Sequence, residues 1–338
     1  MSTVSPPNSV RLEASSRCQL RCPSCPTTTK AIEPAIGSGV LKFTDFKNFL
    51  EVNPFVQDIE ISNYGEVFLN PEILKILQLA HEKQVAIRIE NGANLNHVTE
   101  EVLEGLVKYH VRGIICSIDG ASQETYSQYR VRGDFDRVIK NIETINHYKA
   151  LHHSVFPKLK WQFVLFGHNE HEIPKAREMA AKLGMEIYFK LTWDPDFSPI
   201  RDPEWVKRET GNSVASRAEF TERFEADYMQ SICDQLWNRP QINWDGKNLG
   251  CGRNFWGDFG GNVFQDGLPA TVNNEKMQYA RQMLQGGKPP RKDIPCTTCS
   301  IYQGMRKHKK FIQRPQARPS LFFRICQKIG KLFSRALD

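Results

Sequence analysis

The sequence predicts an α/β fold built on a parallel sheet, followed by a small cysteine-rich unit. Three observations carry this. Six short apolar runs alternate with stretches of helical period between residues 10 and 190, the alternation stops after Lys190, and seven of the nine cysteines fall into two groups, Cys18, Cys22 and Cys25 and then Cys233, Cys251, Cys296 and Cys299.

The strand-like runs are VRLEA, DIEIS, VAIRIE, GIICSID, WQFVLF and MEIYFK, short and rich in Val, Ile and Phe. Between them FTDFKNFLE, PEILKILQLAHEKQ, TEEVLEGLVKYH, FDRVIKNIETINHYKALH and EIPKAREMAAKLG place apolar residues three and four apart, as helices do. Pro71 and Thr99 stand where a first-turn proline and an N-cap belong. Six β-α repeats with right-handed crossovers give a parallel sheet, either doubly wound or part of a β/α barrel. Residues 201–232 read as a linker or lid. From Cys233 to Tyr302 the chain is rich in Gly, Asn and Trp and short on helical pattern, the composition of a unit held together by something other than a large apolar core.

Ten Lys and Arg residues follow position 305 against one acid, Asp338, so the formal charge of +7 resides in the tail and the body is near neutral. That excludes a general polyanion-binding surface, and no nucleic-acid partner is expected. Residues 306–338 read as a basic amphipathic tail, in which RPSLFFRICQKIGKLFSRALD places Leu321, Phe322, Ile325, Ile329, Leu332 and Phe333 on one helical face. It either makes peripheral contact with an anionic membrane or packs on the body. The first twenty residues hold no apolar run of signal-peptide length and no segment approaches a membrane span, so a cytoplasmic location is expected, with the tail as a route to membrane association. Disulfides are then unexpected, and clustered cysteines read as metal or redox ligands.

Three thiolates can hold three irons of a [4Fe-4S] cube and leave the fourth open to a small molecule, whereas a saturated cluster takes four. The alternatives are a zinc site completed by a distant residue, or chance clustering. The triplet follows the first strand, at the sheet edge where α/β folds place their ligands.

With its Cys-x3-Cys-x2-Cys spacing, CQLRCPSC resembles the signature of radical S-adenosylmethionine (SAM) enzymes, and the resemblance runs from about Val10 to Phe189. It implies a partial (β/α)6 barrel over residues 8–200, a SAM-binding [4Fe-4S] cluster on Cys18, Cys22 and Cys25, and reductive cleavage of SAM to a 5'-deoxyadenosyl radical that takes a hydrogen atom from substrate. ISNYGEVFLNPEI resembles the family's Gly-Gly-Glu segment, so Gly65 and Glu66 are implied to contact the SAM amino group, with Tyr64 in place of the first glycine. SIDGASQETYSQYRVRG implies a ribose contact for Ser117 and a SAM carboxylate contact for Arg130, with Asp119 in the same segment; IENGANL places Asn91 near the ligand. Ser24 stands where many members carry an aromatic residue beside adenine.

Cys233, Cys251, Cys296 and Cys299 suit tetrahedral zinc or a fully ligated cluster. CDQLWNRPQINWDGKNLGC followed by CTTC resembles the twitch form of the SPASM-type C-terminal domain over residues 233–305, which implies one auxiliary [4Fe-4S] cluster. The spacing is similar to that of a twitch enzyme oxidising a secondary alcohol of an aminocyclitol. The resemblance thus implies oxidation, epimerisation or related modification of a small polar, sugar-like substrate, and an external one-electron donor such as flavodoxin or ferredoxin. A peptide maturase is the competing enzyme, weakened by the ten residues that precede the first strand; a non-catalytic iron-sulfur or zinc scaffold is the reading of another class. No catalytic side chain is singled out. Cys116 and Cys326 read as small hydrophobes, His168 and His171 as capping, solvated residues, and Trp256, Asp258 and Phe259 as a lining of the cleft between the two units.

Overall fold

The computed structural model describes residues 4–313. The amphipathic helix expected in the tail and Cys326 lie outside the described residues.

The six apolar runs form strands β1 (Ser9–Leu12), β2 (Asp58–Glu60), β3 (Ala86–Ala93), β4 (Gly113–Ser117), β5 (Lys158–Leu165) and β6 (Glu186–Leu191). Each pairs in parallel with its neighbour in sequence. Helices Phe43–Val52, Ile73–Glu82, Glu100–Lys108, Phe135–Leu151 and Ile173–Lys182 return the chain between them. Thr99 takes the N-cap position with extended backbone, although its hydroxyl bonds no helical amide. Two further strands, β7 (Gln241–Ile242) and β8 (Asn248–Gly250), complete one sheet of order β6-β5-β4-β3-β2-β1-β7-β8. It is open at β6 and β8, a partial barrel. The cysteine-rich stretch is therefore not a separate body: β7 lies parallel on β1, pairing Arg11 with Gln241, and β8 turns back antiparallel.

Strand polarity decides what the barrel encloses. Val10, Leu12, Ile59, Ile87, Ile89, Ile114, Cys116, Trp161, Phe163 and Phe189 share one core with helix residues such as Phe46, Ile76, Leu106, Val138 and Ala176. With a two-residue period, the alternate positions must face the interior. These include Ile115 and Val164 but are mostly polar, among them Arg11, Glu13, Glu60, Ser62, Arg88, Glu90, Ser117, Gln162, Tyr188 and Lys190, a largely polar lumen where a closed barrel stacks branched apolar side chains. Each large apolar side chain buried on the outer face contributes about 1.5–3 kcal/mol. That leaves the lumen free to carry polar groups.

Residues 201–232, expected as a linker or lid, contain two capped helices. Asp202 accepts from the Trp205 amide to start Pro203–Thr210, and Ser216 accepts from the Glu219 amide to start Arg217–Phe224. Three helices in the later unit also differ from the expectation: Leu268–Val272, Glu275–Leu284 and Ser300–His308. The last two bury Met277, Met283, Leu284, Ile301 and Met305 in a second small core that includes Cys233 and Cys296, while Leu268 and Val272 of the first join the main core.

Candidate functional site

Cys18, Cys22 and Cys25 occupy the loop after β1 and belong to one cluster with Leu20, Tyr129, Val164, Phe166 and Phe197. Burial, then the nearby Glu66 carboxylate, pushes the Cys18 thiol up to about 12. Binding a metal here therefore displaces protons. Two side chains donate toward sulfur, Asn94 Nδ2 to Cys18 and Arg130 Nη1 to Cys22, each at 3.8 Å. Three thiols in an apolar wall, with N–H donors aimed at two of them, fit the cluster that the spacing suggests.

The loop after β2 closes on the cysteine loop. The Glu66 amide donates to the Arg17 carbonyl at 2.7 Å, and a Cβ on Gly65 would lie 2.2 Å from the Ser15 carbonyl oxygen, so only glycine fits. Glu66 is 2% exposed, and its Oε2 accepts from the Asn94 amide at 2.7 Å. Burial, opposed by the Asn94 and Phe68 amides, pushes its carboxyl up to about 7. Beneath the turn lies Glu13, unremarked in the sequence. It is 1% exposed and accepts from the Tyr64 amide through both oxygens at 3.1 Å and from the Gly65 amide at 3.3 Å. Burial against those amides pushes it up to about 8.

Asp119, just beyond β4, is fully buried; its Oδ2 accepts from Arg130 Nε at 2.6 Å and its Oδ1 from the Val164 amide at 2.8 Å. Both oxygens are occupied, so Asp119 orients Arg130. Burial works against the Arg130 charge, but Asp119 and Cys22 outweigh it and hold its pKa well above the ordinary value. Ser117 is 5% exposed, and its Oγ accepts from Gln162 Nε2 at 3.5 Å. Gly92 approaches that hydroxyl with φ +111°, a conformation that favours glycine. The Asn91 side chain turns the other way, exposed, and ties β3 to Asn63 through Nδ2 at 2.8 Å. The structure thus gathers Gly65, Glu66, Asp119 and Arg130 around the triplet and sets Asn91 at the rim.

Ser24 donates its hydroxyl to Asp194 Oδ2, and Trp193 Nε1 donates to the Ser24 carbonyl at 3.4 Å. The segment after β6 thereby covers the third cysteine. Trp193 is 43% exposed and supplies an aromatic face where Ser24 has none.

The GHNEHE stretch corrects the reading of His168 as a solvated cap. His168 is 8% exposed, its ring stacks 5.3 Å from Phe166, and neither ring nitrogen has a hydrogen-bond partner. Burial and the Arg201 charge depress it to about 4 from its ordinary 6.5. An unfolded chain takes up the proton near 6.5 while the folded one withholds it to about 4. This stability is intact above 6.5 and lost as pH falls through that window, by up to about 3 kcal/mol. His168→Phe should lack that share of acid destabilisation when anaerobic melts at pH 7 and pH 4.5 are compared. An acid-induced drop equal to that of the wild type would rule His168 out as its source.

The four later cysteines line one small cavity with Trp256, Phe259 and Tyr302. Cys233 lies in the turn Gln230–Asp234, Cys251 follows β8, Cys296 lies in the turn Pro295–Thr298, and Cys299 caps helix Ser300–His308. Burial and one another's charge raise Cys233 and Cys296 well above a free thiol, and burial pushes Cys251 up to about 11. Phe259 belongs to this second core and Trp256 donates to the Pro295 carbonyl at 3.0 Å, so both serve the cysteine cavity rather than a cleft between units. Tyr64 connects the two thiol sets. Its carbonyl accepts from Thr27 Oγ1 at 2.6 Å and its hydroxyl donates to the Asn254 carbonyl at 2.8 Å.

Fold and site define a partial-barrel α/β protein with three clustered thiols at the carboxyl edge of its sheet. Residues 12–180, half of the chain, match the family model described as Radical SAM superfamily, and the chain belongs to that superfamily. Family membership implies SAM and a [4Fe-4S] cluster as cofactors. The chain is 28% identical over 184 residues to the AdoMet-dependent heme synthase of Methanosarcina barkeri; the match covers 54% of this chain, which spans about half (49%) of the relative's length. Streptococcus suis SuiB bound to S-adenosylmethionine overlays with TM-score 0.63 at 15% identity, covering 89% of this chain and 72% of that one. BtrN in complex with AdoMet and 2-DOIA gives TM-score 0.48 at 14% identity, covering 88% and 94%, too loose a likeness to bear on substrate. Among the described residues no helix is long and apolar enough to cross a membrane.

Proposed function

We propose that the protein cleaves SAM reductively and uses the resulting 5'-deoxyadenosyl radical to abstract a hydrogen atom from a small polar molecule held in the barrel lumen. The observation that carries this is the polar lumen beneath a three-thiol site that retains Glu66 and Arg130. When bound, the cluster on Cys18, Cys22 and Cys25 supplies the electron that splits SAM. The chain's own residues do the rest: the Glu66 carboxylate accepts from the SAM ammonium, Arg130 donates to its carboxylate with Asp119 fixing the guanidinium, Ser117 meets the ribose, and Trp193 covers the site against water. Asn91, at the rim, holds Asn63 and reaches the ligand only through that loop.

In this proposal Cys233, Cys251, Cys296 and Cys299 hold one auxiliary [4Fe-4S] cluster, saturated and suited to electron transfer. Four thiols around one cavity support it, because each would bind a different iron. The electron for SAM cleavage comes from a donor such as flavodoxin or ferredoxin, and the substrate radical ends in oxidation, epimerisation or a related change.

Anaerobically reconstituted protein given SAM and dithionite should release 5'-deoxyadenosine and bind about eight irons per chain, two clusters of four. The double change Cys251→Ala with Cys296→Ala, which leaves two thiols at the later site, should keep the release and fall to about four irons. Intact clusters that release no 5'-deoxyadenosine would replace the enzyme by a scaffold, and zinc bound at the later four would remove the second cluster.

A further inference from the structure

The lumen carries a pair of cations that the SAM site leaves unused. Lys190 is an inward residue of β6, and its Nζ makes one hydrogen bond, to Gln162 Oε1 at 3.2 Å, on an oxygen that also accepts from the Tyr188 hydroxyl at 2.7 Å. Arg217 opens the helix Arg217–Phe224 and reaches back to the end of β6. Its Nε and Nη2 donate to the Leu191 carbonyl at 3.2 and 3.1 Å, and its guanidinium lies 4.8 Å over the Tyr228 ring. Neither cation forms a salt bridge with any carboxylate among the described residues, unlike Arg130 on Asp119, Arg88 on Asp58 or Lys160 on Glu186. Burial, and then the charge of Arg217, pulls the Lys190 ammonium down to about 8.

Two like charges gathered at the end of one strand repel each other and lose hydration. A fold retains such a pair where an anion completes it. Two Lys190 protons and Arg217 Nη1 remain uncommitted, a point donor beside one edge of a planar fork, which suits an oxyanion. Lys190 also feels the charges of Asp119 and Arg130, and Arg217 those of Asp227, which forms no salt bridge with it, and of Arg253 beside Cys251. The pair therefore stands between the two thiol sets.

We infer that Lys190 and Arg217 receive an anionic group of the substrate, a carboxylate or a phosphate, and so orient it between the SAM site and the later cysteines. This rests on the proposed radical reaction at the same site.

The test uses reconstituted holoprotein with SAM at about 150 mM salt, where weak surface binding is screened. It is titrated calorimetrically with inorganic phosphate, succinate and uncharged glucose. Phosphate or succinate should bind and glucose should not, and the anion that binds identifies which of the two groups the substrate carries. Lys190→Met and Arg217→Met should each weaken that binding about tenfold or more, as loss of a charge-assisted hydrogen bond does. Lys160→Met, on the neighbouring strand but paired with Glu186, should not. If a variant fails to fold, the wild type decides alone: prior reaction of the Lys190 amine with acetic anhydride, located by peptide mass, should be slowed by the bound anion. Absence of anion binding to the wild type, or equal binding by both variants, overturns the inference. 5'-Deoxyadenosine release is measured on the same sample: release without anion binding refutes the anion site alone, and anion binding without release refutes the radical reading alone.

Discussion

Gly65→Ala should abolish SAM cleavage while leaving the three cysteines, Glu66 and Arg130 in the sequence. The added methyl would meet the Ser15 carbonyl oxygen at 2.2 Å and the Arg17 carbonyl oxygen at 2.6 Å, both backbone atoms that have no rotamer to yield. The loops after β1 and β2 must then part, breaking the bond from the Glu66 amide to Arg17 and the bonds that Glu13 receives from Tyr64 and Gly65. Overpacking of this kind costs about 1–3 kcal/mol. The larger effect is on geometry, because Cys18 and Glu66 both sit on the displaced segments, and an error of about 1 Å can cost about 100-fold in rate. The readouts are iron content and 5'-deoxyadenosine release; a variant that matches the wild type in both would show that the close approach of the two loops is dispensable.

The second large effect is expected from Asp119→Asn. The carboxylate takes an N–H from Arg130 on one oxygen and from Val164 on the other. An amide of the same shape must point its NH2 at one of these two donors, and Arg130 loses its counter-charge. Breaking a buried ion pair from one side costs about 3–5 kcal/mol. Thermal unfolding should show that loss, together with weakened SAM binding as the guanidinium leaves its fixed plane. The double change with Arg130→Met should recover part of the stability and none of the SAM affinity. Recovery of both would mean that Arg130 takes no part in holding SAM.

The barrel was readable in sequence because alternating strand and helix periods leave a local trace. All six apolar runs became strands, and the five helical stretches are helices within a residue or two of their expected ends. The later helices left little trace. Glu275–Leu284 buries two methionines and Arg281 among polar residues, so its apolar face is discontinuous in the sequence. The cysteine triplet was legible because its ligands are neighbours. Of the later four only Cys296 and Cys299 are close in sequence, so the set was grouped by chemical type and by its resemblance to a twitch-type domain. Arg217 was missed because it opens a helix beyond β6 and nothing local ties it to the strand end it reaches; Glu13 and Lys190 were missed for another reason. A charged residue in a strand announces a polar position but not which face it takes, and only the pairing of β5 with β6, or of β1 with β2, shows that these side chains point into the barrel. The parity of Arg11-x-Glu13 beside Val10 and Leu12 was the signal available.

For the auxiliary cluster proposed above, pairing of β7 on β1 has a consequence. The strand leading to Cys18 is hydrogen-bonded to β7, which in turn pairs with β8, the strand that precedes Cys251. The gap an electron would cross between the two sulfur sets is thus clamped by a backbone ladder and is indifferent to the length of the connection through residues 192–232. Insertions there can reshape the entrance for a substrate while the tunnelling distance stays constant.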